Sequence, residues 1–243
     1  AKRLLKYERQ CIQKSDVTFL FNEKEREYWA SFGNVVLLPH GVREELLCSC
    51  ETDFTVYKKE KEKWGLPDKF VAFIGKMNYQ PNVDAVTWYV ENIHSKLDEA
   101  PHLVVLGAYP TEQVKQLAVK FENITVTGFL ADPYLILKHA AAVIAPMQTG
   151  GGIQNKVLEA MALGKINLLS SKAAEPISDA VDGKEYVICD TLSQYQSVFE
   201  KMKQAPCFYQ QVGENAKRFI LDHYTWKRYG TLYLDEIDQL RKG

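Results

Sequence analysis

The chain has 243 residues, 46% apolar and 25% charged, with 30 basic against 31 acidic side chains and a formal net charge of −1. That length makes one large or two small domains with a substantial core. The balanced charge excludes nucleic acid as the main partner, no apolar run is long enough to span a bilayer, and no signal peptide is visible.

The chain starts at Ala1 in a charged, helix-like stretch, which suggests a fragment or a processed chain. Residues 2–13 read as a helix and 17–21 as a short strand. Asn22 then caps a charged helix over 23–30. Residues 35–38 read as a buried strand, broken by Pro39-His40-Gly41-Val42. Two strands and two helices are too few for a core, so these residues look like the last unit of a preceding domain. Residues 43–64 read as a connecting stretch with a short helix near 56–64.

A regular alternation follows. Residues 70–74 form a strand and 75–80 a loop. Pro81 opens a helix with Val83, Val86, Val90, Ile93 and Leu97 at helical spacing. A strand over 103–106 ends at Gly107. Then come a helix over 111–121, a strand over 124–126, the segment Thr127-Gly128-Phe129-Leu130, a short helix over 133–139 and a buried strand over 140–146. After a glycine loop and its helix, residues 166–169 are a strand, 170–177 a polar loop and 186–188 a late strand. Leu192, Tyr195, Val198, Phe199 and Met202 share a helix face. Helices over 207–222 and 226–242 close the chain, the last with an apolar stripe of Trp226, Tyr229, Tyr233, Ile237 and Leu240. This alternation predicts an α/β fold with a doubly wound parallel sheet. Ligands of such sheets bind at the carboxyl ends of the strands. The loops 75–80, 107–110, 127–131, 147–153 and 170–177 should therefore converge on one rim.

The stretch from Thr149 to Gly164 organises the rest. Gly150, Gly151 and Gly152 leave backbone N–H groups open to close approach, and the helix that follows adds unpaired donors and a positive dipole end. Such a site suits phosphate. Lys156, about one turn into the helix, offers a point charge to a second phosphate oxygen. Glu159, on a neighbouring part of the face, can accept from paired hydroxyls such as those of a ribose. Together they read as a site for a nucleotide diphosphate. A strand, glycine turn and helix is also common in α/β proteins, and the spacing is neither GxGxxG nor GxxxxGK[ST]. Asn82 and Asp84 read as capping and charging a helix start. His40 and His139 read as structural, and Glu175 either lines the rim or starts a helix. The five cysteines are scattered without a CxxC pair, and the five histidines lack metal spacing. Reduced thiols in the cytoplasm fit this pattern, and no metal site is expected. The close pair Cys48 and Cys50 reads as incidental.

Several stretches together resemble the C-terminal, donor-binding domain of retaining GT-B glycosyltransferases of the group 1 kind (family 4). They are Phe73-Ile74-Gly75 through Pro81-Asn82-Val83-Asp84-Ala85, Val104-Val105-Leu106-Gly107, Val126-Thr127-Gly128-Phe129-Leu130-Ala131-Asp132, Ala145-Pro146 through Lys156-Val157-Leu158-Glu159-Ala160-Met161-Ala162-Leu163-Gly164, and Tyr224-Thr225-Trp226. The resemblance covers residues 35–235, and its ordered succession of motifs is more specific than any one loop.

It implies a Rossmann-like domain over 41–225, a remnant of an N-terminal domain over 1–40, and a cross-over helix over 226–243 that docks on residues 1–38. It also implies a hexosyltransferase-type reaction without metal or cofactor. A sugar passes from a nucleotide-sugar donor, a UDP- or GDP-sugar, to an acceptor glycan or lipid-linked intermediate with retention of configuration. Gly75 and Lys76 then approach the diphosphate. Phe129 and Leu130 contact the base. Gly150, Gly151, Gly152 and Ile153 offer N–H groups to diphosphate and sugar. Lys156 stabilises the diphosphate, and Glu159 binds the ribose.

Three positions depart from the family. Gly151 replaces the earlier of two glutamates around this loop, as in a glycine-rich branch associated with polysaccharide synthesis. Gln148 replaces an arginine, and Pro39-His40-Gly41 replaces Pro-Asn-Gly. With the N-terminal domain missing apart from its last elements, the chain alone is expected to be inactive. A cytoplasmic protein is expected, with any peripheral attachment at the inner membrane face made through the missing domain. Two alternatives stay open, a non-catalytic nucleotide-binding or interaction module and a nucleotide-sugar epimerase of the same architecture.

Overall fold

The computed structural model describes residues 2–48, 54–177 and 179–242, so Cys50 lies outside the described residues. The first unit contains α1 (Lys2–Lys14), β1 (Thr18–Leu20), α2 (Glu23–Trp29) and β2 (Val35–Leu37). β1 and β2 pair in parallel as a separate two-stranded sheet. Asn22 caps α2 as its sequence position predicts, accepting from the Glu25 N–H at 3.0 Å. The connecting stretch holds α3 (Glu44–Leu47) and α4 (Phe54–Trp64). The sequence reading has no counterpart to α3, whose Leu46 is buried.

The main body runs β3 (Phe70–Ile74), α5 (Gln80–Asn92), β4 (His102–Leu106), α6 (Glu112–Lys120), β5 (Ile124–Gly128), α7 (Tyr134–Leu137), β6 (Ala142–Ala145), α8 (Asn155–Ala162), β7 (Asn167–Leu169), α9 (Ser171–Ala174), β8 (Val187–Ile188), α10 (Leu192–Gln204), α11 (Pro206–His223) and α12 (Trp226–Lys242). Its six strands are parallel in the order β5-β4-β3-β6-β7-β8. This is the doubly wound arrangement, with its switch point between β3 and β6. Strand alternation supplies two cores. Val71, Phe73, Val105 and Ile144 face α5, α8 and α11, while Phe70, Ala72, Ile74 and Val104 face α7 and Leu66.

Local chemistry moves three boundaries from their expected places. The predicted polar loop 170–177 contains α9, because the Ser170 hydroxyl accepts from the Ala173 N–H at 3.2 Å and starts a helical turn. The helix opened by Pro81 stops at Asn92. A 3-10 turn over His94–Lys96 follows, so Leu97 falls beyond the helix. Val105 pairs with Val126 but Leu106 pairs with Gly128, so Thr127 is an extra residue in β5. That bulge re-aims the Gly128-Phe129 loop as the strand ends.

α12 returns to the first unit. Tyr233 packs on Phe19 with centroids 5.3 Å apart, and Trp226 stacks on His40. None of its residues is buried, so its apolar stripe covers rather than fills. Among the described residues, no helix is long and apolar enough to cross a membrane.

Candidate functional site

The switch point sets the loop after β3 beside the loop after β6. The backbone there is pressed together at the β3–β4 end. A Cβ on Gly107 would lie 1.7 Å from the Gly75 carbonyl oxygen, and one on Gly75 would lie 2.6 Å from Asn82 Nδ2. Only glycine allows that approach. The Gly75 N–H donates to Leu106 O at 3.0 Å and the Met77 N–H to Ala108 O at 2.9 Å, so the two loops form one wall.

Asn82 corrects the sequence reading. The helix N-cap is Tyr79, without a side-chain cap, and Asn82 is a buried residue of the first turn. Its Nδ2 donates to Lys76 O at 3.0 Å, and its Oδ1 accepts from the Lys156 ammonium. A side chain of α5 thus reaches across the switch point to α8. Asp84 accepts from Gln80 Nε2 at 2.7 Å on the helix surface.

Lys156 is the second residue of α8, not one turn in, because the helix opens only at Asn155. Its Nζ lies 3.3 Å from Met147 Sδ and 5.0 Å from the Phe73 ring centroid. Among the described residues no carboxylate pairs with it. Burial therefore pushes its pKa down to about 8. A largely buried ammonium with one spare donor and a weak thioether partner, lining an open cleft, favours an anion.

Glu159 lies one turn further along. Burial raises its carboxyl above the ordinary range, and Tyr134 beside it opposes this. Arg43 Nε lies 4.0 Å from Glu159 Oε1, and its guanidinium sits over the Tyr134 ring at 5.5 Å.

The structure brings Gly75, Lys76, Phe129, Leu130, Gly151, Ile153, Lys156 and Glu159 into one cleft of about 680 Å³, joined by Arg43, Tyr79, Asn82 and Tyr134. Lys76 also lies 5.7 Å from the Tyr109 ring centroid. Gly150 and Gly152 line an adjoining recess of about 150 Å³ instead, with Asn22, Lys24, Lys172 and Glu175. Gly151 and Gln154 border both spaces. Four of the five expected rim loops therefore meet at the cleft, while the loop 170–177 meets the recess. There Glu175 pairs with Lys24 and, at 2.7 Å, with Lys172, which ties the first unit to the main body. His40 stacks on Trp226 and His139 on Tyr57, as structural histidines.

Sequence reasoning missed Arg43 and Tyr134. Arg43 stands in a stretch without periodicity, and Tyr134 in a helix of a single turn. Their partnership with Glu159 is a tertiary contact, and the only signal at Arg43 is its place just after the Pro39-His40-Gly41 turn.

Comparison with known proteins identifies the family and the fold. The family model described as Glycosyl transferases group 1 matches residues 68–204, more than half of the chain. The glycosyltransferase MJ1069 of Methanocaldococcus jannaschii is 27% identical over 179 residues, covering 70% of this chain and 45% of that protein. The chain thus spans about half the length of this curated relative. A glycosyltransferase from Rickettsia africae superposes with a TM-score of 0.80 at 12% identity, over 100% of this chain and 68% of that one. Anabaena Alr3699/HepE, solved in complex with UDP-glucose, superposes with a TM-score of 0.70 at 10% identity, over 93% and 64% of the two chains. At these identities the structural matches show the fold, a GT-B-type Rossmann-like domain.

Proposed function

Because the chain belongs to the group 1 glycosyltransferases, we propose that it is the donor-binding part of an enzyme that moves a hexose from a nucleotide-diphosphate sugar to an acceptor glycan or lipid-linked intermediate, with retention of configuration. The observation that carries this reading is Lys156. It is a largely buried ammonium without a carboxylate partner among the described residues, held by Asn82 across the switch point and open to the cleft.

In this reading Lys156 and the backbone N–H groups of Gly151 and Ile153 hold the diphosphate. As the bond to the anomeric carbon breaks, negative charge grows on the departing diphosphate, and these donors stabilise it in place. That role needs no metal. Glu159 accepts the ribose hydroxyls, and Phe129 and Leu130 flank the base. The binding of UDP-glucose by the Anabaena protein favours a uridine nucleotide.

Residues 41–225 make up the donor domain. Residues 1–40 and 226–243 belong with the domain that carries the acceptor site, so this chain alone turns nothing over. The glycine-rich loop with Gly151 supports a role in polysaccharide assembly, which this reading sets on the cytoplasmic side.

Calorimetric titration with UDP, GDP and ADP tests the reading. One nucleotide should bind, and Glu159→Ala should weaken it by about 10–100-fold, the worth of hydrogen bonds to a charged acceptor. Equal affinity for that nucleotide in the variant would remove the ribose role. No binding by any of the three would remove the donor site.

A further inference from the structure

Glu159 does not face the cleft alone, and the residues around it come from three separate segments. Tyr134, on α7, lies beside its carboxylate and acts to lower its pKa. Arg43, just before α3, lies 4.0 Å from Oε1 and over the Tyr134 ring at 5.5 Å. His40, from the turn after β2, also acts on the carboxylate as a lesser positive influence. Lys156, on the same helix, is engaged by Asn82. Asp132, close to Tyr134, adds a negative charge on the far side. The Glu159 side chain is 18% exposed, so water supplies little of its solvation.

A carboxylate offers about four lone-pair sites. If the carboxyl were neutral, one oxygen would carry a proton and could no longer accept freely, and a pair of ribose hydroxyls would lose a partner. The ionised state is what the donor reading requires, and burial opposes it.

Resting on that reading, we propose that Arg43 and Tyr134 are positioning residues for Glu159. Tyr134 flanks the carboxylate and favours its ionised form. Arg43 supplies the positive charge that keeps the carboxylate ionised. Arg43 reaches the site from the junction between the first unit and the main body. Ribose binding is thereby tied to the position of that junction.

The acid side of nucleotide binding exposes this role. UDP affinity is measured from about pH 5 to about pH 9 for the whole chain and for Arg43→Met, Arg43→Lys and Tyr134→Phe. Each variant is expressed as a ratio to wild type, which cancels the titration of UDP itself. Arg43→Met should match wild type within about 2-fold near pH 8 and bind about 5-fold more weakly near pH 5. Tyr134→Phe should move in the same direction, and Arg43→Lys should restore the wild-type profile. A ratio that stays constant across pH overturns the proposal, since a direct ligand contact or a scaffold role would act equally throughout. Carbon NMR titration of the Glu159 carboxyl without ligand separates this from failure of the donor reading. If wild type binds none of UDP, GDP and ADP, the donor reading fails. An upward move of the Glu159 midpoint in Arg43→Met still supports the positioning role, and an unmoved midpoint overturns it.

Discussion

The main sheet holds a lysine at each end. Lys165 lies where β7 begins, and Lys156 lies beyond the end of β6. Burial lowers both ammonium groups below the ordinary range. Their partners differ. Lys165 donates to Lys138 O at 2.6 Å and Ala140 O at 3.0 Å, two backbone carbonyls that need a donor where α7 ends. Lys156 donates to one amide oxygen, approaches a thioether and lines the cleft. Cavity size does not separate the two ends. The end where the strands begin has a space of about 550 Å³, lined by Phe70, Pro101, Phe199, Met202 and Tyr209. Buried charge and empty volume each occur at both ends. What distinguishes the switch-point end is a buried charge that lines the volume and whose second partner is only a weak thioether acceptor.

The largest test of the comparison concerns the backbone. Gly107, at the switch-point end, and Gly65, near the start of β3, both have positive φ. A Cβ on Gly107 meets the Gly75 carbonyl oxygen at 1.7 Å, whereas one on Gly65 meets nothing within 4 Å. Gly107→Ala should cost about 3–5 kcal/mol in urea unfolding, or prevent folding, because neither backbone can yield cheaply. Gly65→Ala should cost about 1 kcal/mol. Similar losses would mean that the rim is not the tightly apposed wall described above.

Lys156→Met comes next and should produce opposite effects in two measurements. UDP binding should weaken by about 100-fold, the worth of a charge-assisted contact to phosphate. The ligand-free chain should melt at a higher temperature, because an under-compensated buried charge has been replaced by a similar apolar volume. Lower thermal stability would show that Asn82 and Met147 already satisfy the ammonium.

The pattern of elements was legible because it rests on local chemistry. Asn22 caps α2, Pro81 starts α5, and the apolar strands are read directly from their composition. That Lys156 and Glu159 share one cleft was also legible, since a glycine loop followed by a short helix fixes their order. The contacts of Asn82, Arg43 and Tyr134 were not. Asn82 has the composition of a cap, and only the placing of β3 beside β6 turns it toward Lys156. Arg43 and Tyr134 are far from Glu159 in the chain, and their contact exists only once α3 and α7 have docked. Gly150 and Gly152 were placed with the diphosphate loop, but the chain turns them into the neighbouring recess. One-dimensional spacing does not tell two adjoining spaces apart.

Stability against pH gives a smaller test of the same charge. The folded pKa of Lys156, about 8, lies below its ordinary value of 10.5. Between these values the unfolded chain still holds the proton and the folded chain has released it, so stability from this group rises with pH across that window. Below it the charged lysine is a steady cost to the fold. Wild type minus Lys156→Met isolates the effect from other titrating groups, and the difference should rise by about 1–3 kcal/mol from pH 8 upward. A flat difference would mean that the folded lysine keeps its proton as readily as the unfolded one.

Lys165→Met should have the smallest effect and complete the comparison. It removes a buried charge, which favours the fold, but leaves the Lys138 and Ala140 carbonyls without their donor, which opposes it. The second term should prevail by about 1 kcal/mol, because an unpaired buried carbonyl costs more than a hydrogen-bonded lysine. UDP affinity should stay within about 2-fold of wild type, since Lys165 has no place in the cleft. Loss of binding on this substitution would mean that the two ends of the sheet are coupled, and that a place in the cleft is not what sets Lys156 apart.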